Sequence, residues 1–103
     1  MFYTYILYSE ERDRYYIGQT QDLSARLTHH RSGDSATTRG ASDWRLVFVQ
    51  TFENRHDAMV LEARIKRDKS RKSIVRFVRD ARNEVTRFIV AEGGRTVPAG
   101  AAW

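Results

Sequence analysis

The 103-residue sequence contains no cysteine. No disulfide framework can therefore hold it, and any bound metal must take oxygen or imidazole ligands. It also lacks any run approaching the roughly 20 consecutive apolar residues that a membrane-crossing helix needs. Its start, MFYTYILYSEERD, has neither a basic leader nor a small-residue cleavage site. No internal repeat is visible, and no linker divides the chain. These absences predict a cytoplasmic protein with one small core and no membrane partner.

What is present is a globular composition, 41% hydrophobic and 12% aromatic, with a formal net charge of +5. That charge is unevenly placed. Residues 1–63 hold 7 Lys and Arg against 9 Asp and Glu, whereas residues 64–103 hold 11 against 4. A basic second half fits a polyanion partner, nucleic acid foremost, or else a merely solubilising surface.

The hydrophobic pattern divides into short elements. Phe2 to Tyr8 (FYTYILY) and Tyr15 to Gly18 are aromatic and β-branched runs joined by a polar connection, the pattern of a β-hairpin. Thr20 or Asp22 can cap a helix over about residues 21–32 that carries Leu23 and Leu27 and ends at Ser32-Gly33. Gly33 to Asp43 is a polar loop, and Leu46 to Phe52 reads as a third strand. Asn54 and Asp57 resemble a capping arrangement before a second helix at about 55–69, and Ile74, Phe77, Val78 and Ala81 mark a third at about 71–82. Residues 84–91 fit a further helix or a strand, and the rest reads as a frayed tail. The expected fold class is α/β of the α+β type: a small three-stranded, mainly antiparallel sheet flanked by helices in the order ββαβαα. The domain is expected over residues 1–83, with 84–103 a partly helical or disordered extension.

Several side chains fit a plain core poorly. On the first helix Leu23, Arg26, Leu27 and His30 fall within one arc of about 100°, so Arg26 and His30 border the face expected to be buried. Arginine stems do snorkel at core edges, and histidine is often partly buried. On the second helix Glu62 lies on the stripe of Ala58, Leu61 and Ile65, where a carboxylate is costly unless paired, protonated or bound to a cation. A Glu62–Lys66 pair at i, i+4 is the ordinary alternative. Tyr3 and Tyr5 share one face of the first strand, and alternation sends Tyr15 and Tyr16 to opposite faces of the second. Phenols, an imidazole, a guanidinium and a carboxylate are the groups that phosphodiester hydrolysis requires: a proton acceptor for water, a phosphate clamp and a ligand for Mg²⁺.

These residues resemble the GIY-YIG endonuclease superfamily, most closely its small single-domain bacterial members. The resemblance rests on Tyr3-Thr4-Tyr5, Tyr16-Ile17-Gly18, the pattern Asp22-Leu23, Arg26-Leu27 and His30, the tripeptide Thr38-Arg39-Gly40, and Glu62-Ala63-Arg64-Ile65-Lys66. It spans about residues 2–78. It implies a GIY-YIG-like fold, with Tyr5 and Tyr16 beside the scissile phosphate and one of them, helped by His30, activating water. It further implies Arg26 stabilising the charge at phosphorus and Glu62 anchoring Mg²⁺ or Mn²⁺. Gly18 would let the backbone turn from strand to helix. Two departures stand out: Tyr3 replaces the first motif's glycine, and residues 70–77 carry no asparagine where many members have one, Asn83 lying further along.

The function expected is a metal-dependent DNA endonuclease with a one-metal mechanism, structure-dependent or weakly sequence-specific, with DNA repair or recombination as its setting. Arg39, Lys66, Arg67, Lys69, Arg71 and Lys72 would contact phosphates without reading sequence, and a partner protein could select the substrate. The rivals are a nucleic-acid-binding module that keeps the fold without turnover and a protein-interaction domain with a basic tail.

Overall fold

A computed structural model of the chain describes residues 1–31, 41, 43–67 and 70–87. The central strand β1 (Phe2–Ser9) pairs antiparallel with β2 (Arg14–Thr20) on one side and with β3 (Arg45–Phe52) on the other, so the sheet order is β2-β1-β3. Helix α1 (Leu23–Arg31) follows β2, and α2 (Arg55–Arg67) and α3 (Arg71–Arg79) follow β3. This is the expected ββαβαα order, and both strand pairs are antiparallel.

Local chemistry sets the ends of these elements. The Asp22 carboxylate accepts from the Ala25 amide at 3.0 Å to cap α1, and the Asn54 side chain accepts from the Asp57 amide at 2.9 Å to cap α2. The Ser70 hydroxyl caps α3 through the Ser73 amide. In the hairpin, Asp13 adopts the left-handed conformation at φ 51°, which a short polar side chain tolerates. The Ser9 hydroxyl donates to Asp43 at 2.6 Å, and the other Asp43 oxygen accepts from the Glu11 amide at 2.9 Å. The hairpin end is thereby tied to the approach to β3.

The sheet buries both faces, which explains the near-continuous burial from Thr4 to Leu7. Face one carries Tyr5, Leu7, Leu46 and Val49 against Leu23 and Leu27 of α1 and against Trp44, with Tyr16 and Val85 packed alongside. Face two carries Ile6 and Phe48 against Leu61, Ile65 and Ile74 of α2 and α3, with Tyr15, Ile17 and Phe77 alongside. A β-bulge in β3, where Ile6 faces Phe48 but Leu7 faces Leu46, brings Leu46 and Val49 to the same face despite their odd spacing. Thr4, wholly buried, donates its hydroxyl to the Ala58 carbonyl at 2.7 Å and so locks α2 onto β1.

Just after α3 the chain covers the outer edge of β3. The Asn83 amide group donates to the carbonyls of Val47 and Val78 at 2.9 and 2.8 Å, and its oxygen accepts from the amides of Val49 and Val85 at 3.1 and 2.9 Å. The Glu84 amide donates to the Val49 carbonyl at 2.7 Å, and its carboxylate accepts from the Thr51 amide at 2.9 Å. A side chain and a carboxylate thus do the work of a fourth strand at an edge that would otherwise present unpaired backbone groups. Residues 85–87 then form a helical turn, the described part of the segment that the sequence left between helix and strand.

Asn83→Ala is expected to lower stability by about 2–4 kcal/mol, because partly buried backbone groups lose their partners. Urea denaturation checks this, and a change below about 0.5 kcal/mol would show that water satisfies the edge equally well.

Candidate active site

Tyr5 and Gly18 stand opposite each other in the β1–β2 register, and the Tyr5 ring crosses the bare glycine. A Cβ at Gly18 would lie 2.7 Å from the Tyr5 hydroxyl oxygen, 2.8 Å from its Cζ and 3.1 Å from Tyr16 Cε1. This corrects the role expected of Gly18. It sits inside β2 rather than at a strand-to-helix turn, and what its missing side chain provides is room for an aromatic ring. Tyr5 is thereby able to be almost wholly buried while its hydroxyl reaches the edge strand of the sheet.

From face one, α1 brings His30 to that hydroxyl. Tyr5 Oη and His30 Nε2 lie 3.0 Å apart, and the His30 ring packs 4.6 Å from that of Tyr16 and 6.0 Å from that of Tyr5. The Tyr5 and Tyr16 rings are 6.3 Å apart. His30 is wholly buried. Burial, reinforced by the positive Arg26 and by His29, pulls its pKa down to about 4, so at neutral pH the imidazole is uncharged. Burial, with repulsion from Tyr16 and Glu62 outweighing the attraction of Arg26, pushes the Tyr5 phenol upward, so it too stays neutral. The pair is a neutral hydrogen bond that positions two rings. Of the residues on that arc, Leu23, Leu27 and His30 are buried, while Arg26 is exposed at the rim. Its guanidinium stays in water yet near enough to act on both Tyr5 and His30.

From the opposite face, α2 brings Glu62. Its side chain is 21% exposed and accepts from Lys66 Nζ at 3.1 Å. The i, i+4 pair weighed from the sequence therefore exists, and Glu62 also acts on the Tyr5 phenol. The groups bearing on that β1 hydroxyl thus come from β2, α1 and α2. Half-buried Tyr16 meets solvent where Tyr5 does not.

Among the described residues there is no cluster of three or more His, Asp or Glu that could hold a metal. The donor set still fits Mg²⁺, which keeps several waters and often takes one carboxylate plus substrate phosphate oxygens. Glu62 is a carboxylate of that kind, and the Lys66 ammonium bonded to it occupies a place that already favours a cation.

The basic residues picked from the sequence divide. Lys66, Arg67 and Lys72 are exposed, with Lys66 adjoining the site through Glu62. Arg71 instead grips the hairpin: its guanidinium donates to the Asp13 carboxylate at 2.6 Å and to the Asp13 carbonyl at 2.9 Å, and it lies over the Tyr15 ring. Arg39 and Lys69 fall outside the described residues. Asn83 and Glu84 lie on the β3 edge, across the sheet from β2, and the sequence carried no signal for their backbone role beyond an unassigned asparagine.

Two outcomes are expected. Because the folded pKa of His30 lies below its ordinary value of 6.5, the unfolded chain binds the extra proton first. Stability is whole above about pH 6.5 and falls toward pH 4, by up to about 3 kcal/mol. Urea midpoints across that range should drop more steeply for the wild type than for His30→Gln. Gly18→Ala should cost about 1–3 kcal/mol by forcing the Tyr5 ring aside, read in the same denaturation experiment.

Comparison with known proteins gives the family. Residues 1–75 match the GIY-YIG catalytic domain family. A UPF0213 protein of Streptococcus pneumoniae is 44% identical over 69 residues, 65% of this chain and 68% of the relative. One from Pediococcus acidilactici is 33% identical over 90 residues, 84% of this chain and 90% of the relative. The solution NMR structure of a UPF0213 protein from Bacillus halodurans is similar with a TM-score of 0.53 at 29% identity, covering 87% of this chain and 96% of that one. A buried tyrosine crossing a glycine to meet a histidine, with an arginine and a glutamate brought in from opposite faces, is therefore set within a match over three quarters of the sequence: the chain belongs to the GIY-YIG catalytic domain family, alongside the small UPF0213 proteins.

Proposed function

We propose that the protein is a metal-dependent endonuclease that hydrolyses phosphodiester bonds in DNA, with structure-dependent or weakly sequence-specific cleavage. The observation that carries this reading is the cluster of Tyr5, Tyr16 and His30 at the edge strand, whose buried phenol also feels the charges of Arg26 on α1 and Glu62 on α2. Membership of the GIY-YIG family supports a nucleic-acid substrate.

The roles follow from exposure and charge. Tyr16, half-buried at the mouth, orients the attacking water and, as its phenolate, accepts the proton that water gives up. The Tyr5–His30 hydrogen bond holds the ring against which Tyr16 packs. The exposed Arg26 guanidinium takes two non-bridging phosphate oxygens and offsets charge that builds at phosphorus. Glu62 would hold Mg²⁺ or Mn²⁺, whose chemistry is to neutralise phosphate charge and favour water ionisation. Lys66, paired with Glu62, would with Arg67 and Lys72 contact the phosphate backbone of the strand. Arg71 contributes indirectly, by bracing the hairpin. Residues 1–83 would form the catalytic unit, although Glu84 already belongs to its edge. Work in repair or recombination, in the cytoplasm and with a substrate-selecting partner, is consistent with a domain that has little surface for reading sequence.

The second reading, a binding module without turnover, is favoured by one observation: Lys66 already neutralises Glu62. One experiment decides between them. Labelled branched, single-stranded and duplex DNA should be cleaved with Mg²⁺ or Mn²⁺ and not with EDTA. Glu62→Ala, Arg26→Ala and Tyr16→Phe should each lose about 10²-fold or more while keeping the wild-type circular dichroism spectrum. Salt-sensitive binding without cleavage on any substrate would establish the binding module instead. Unchanged cleavage by Glu62→Ala would remove the metal assignment.

A further inference from the structure

A groove of about 510 Å³ opens beside the catalytic cluster, between β2 and helices α2 and α3. Its floor is apolar, made by Ile17, Ile65 and Ile74, and its rim carries two exposed cations, Arg14 and Lys66. Tyr15 and Tyr16 complete the lining, and no carboxylate is among its residues. We propose that this groove is a nucleoside subsite, taking the base and sugar of an unpaired nucleotide next to the phosphate held at Tyr16 and Glu62.

The proposal rests on the nuclease reading and specifies its substrate class. Two residues join groove and site: Tyr16 lines the groove and packs on His30, and Lys66 lines it and bonds Glu62. A strand with a phosphate at the cluster therefore has its neighbouring nucleotide over the groove. The volume lies within the roughly 300–1,000 Å³ of pockets that hold small organic ligands. An apolar floor under a cationic rim is complementary to a nucleobase carried on a phosphate chain. The wall is braced, because the Tyr15 ring packs at a tilt 4.7 Å from Tyr8 and is covered by Arg71, itself fixed to Asp13. A base within a duplex keeps its faces stacked and its edges paired, so only an unpaired or extruded nucleotide can enter.

The test separates base recognition from cleavage. The full chain is titrated in Ca²⁺ with single-stranded hexathymidylate and with the same phosphate chain bearing only abasic sugars, while backbone amide shifts are followed by NMR. Hexathymidylate should bind at least about fivefold more tightly than the abasic chain, with shifts concentrated at Arg14–Ile17, Lys66 and Ile74. Ile17→Ser, confirmed as folded by its spectrum, should shrink that ratio toward one, whereas Arg14→Ala should weaken both ligands alike. Equal affinity for the two chains, or shifts clustered away from the groove, overturns the subsite. With Mg²⁺, cleavage at an unpaired thymidine should exceed cleavage of the same sequence in duplex by at least about tenfold. Equal rates likewise overturn it. Absence of Glu62-dependent cleavage alongside base-dependent binding would defeat the nuclease reading and leave the nucleoside groove standing.

Discussion

The contact between the Tyr5 ring and Gly18 is the constraint on which the site depends. A sheet covered on both faces keeps the residues of one layer away from those of the other. Here α1 packs on one face and α2 on the other, yet their polar groups must act on the same atoms. The solution lies at the edge strand. A ring rooted on central β1 leans across a residue without a side chain, and its hydroxyl arrives where helices from both faces can reach it. Any Cβ at that position would push the ring back over the core.

The surrounding structure holds this arrangement with polar contacts that each join distant parts of the chain. Thr4 fastens α2 through the Ala58 carbonyl, and Arg71 fastens α3 to the hairpin through Asp13. Asn83 and Glu84 close the far edge of the sheet. Burial then does two things at once for His30: it keeps the imidazole neutral, and it fixes the ring between two tyrosines. Were His30 charged, the neighbouring Arg26 would repel it and the packing would carry an unsolvated cation. The charges at the rim, Arg26 and Lys66, meanwhile stay exposed and so avoid a large desolvation cost.

Periodicity, caps and local pairing were legible in the sequence because they depend on neighbours within a few residues. The alternation of Tyr15 and Tyr16 placed them on opposite faces, as the two core clusters show. The capping roles of Asp22 and Asn54 and the Glu62–Lys66 pair were visible for the same reason. Other features had no local signature. The bulge that turns both Leu46 and Val49 to face one depends on how β3 meets β1. Arg71 looked like one more phosphate contact in a basic run until folding set Asp13 against it, 58 residues away. Arg26 and His30 share an arc on the helix, but only the packing of the sheet sends one inward and leaves the other in water.

By itself the sequence determined the element order, the faces of the strands and the side chains on which the family resemblance rests, because hydrophobic period and side-chain chemistry are written residue by residue. Only the tertiary structure decided what Gly18 is for, which tyrosine is sealed and which is open, and how Asn83 and Glu84 replace a missing strand. Those outcomes turn on close approach and desolvation between segments far apart in the chain, which exist only once the sheet has brought the segments together.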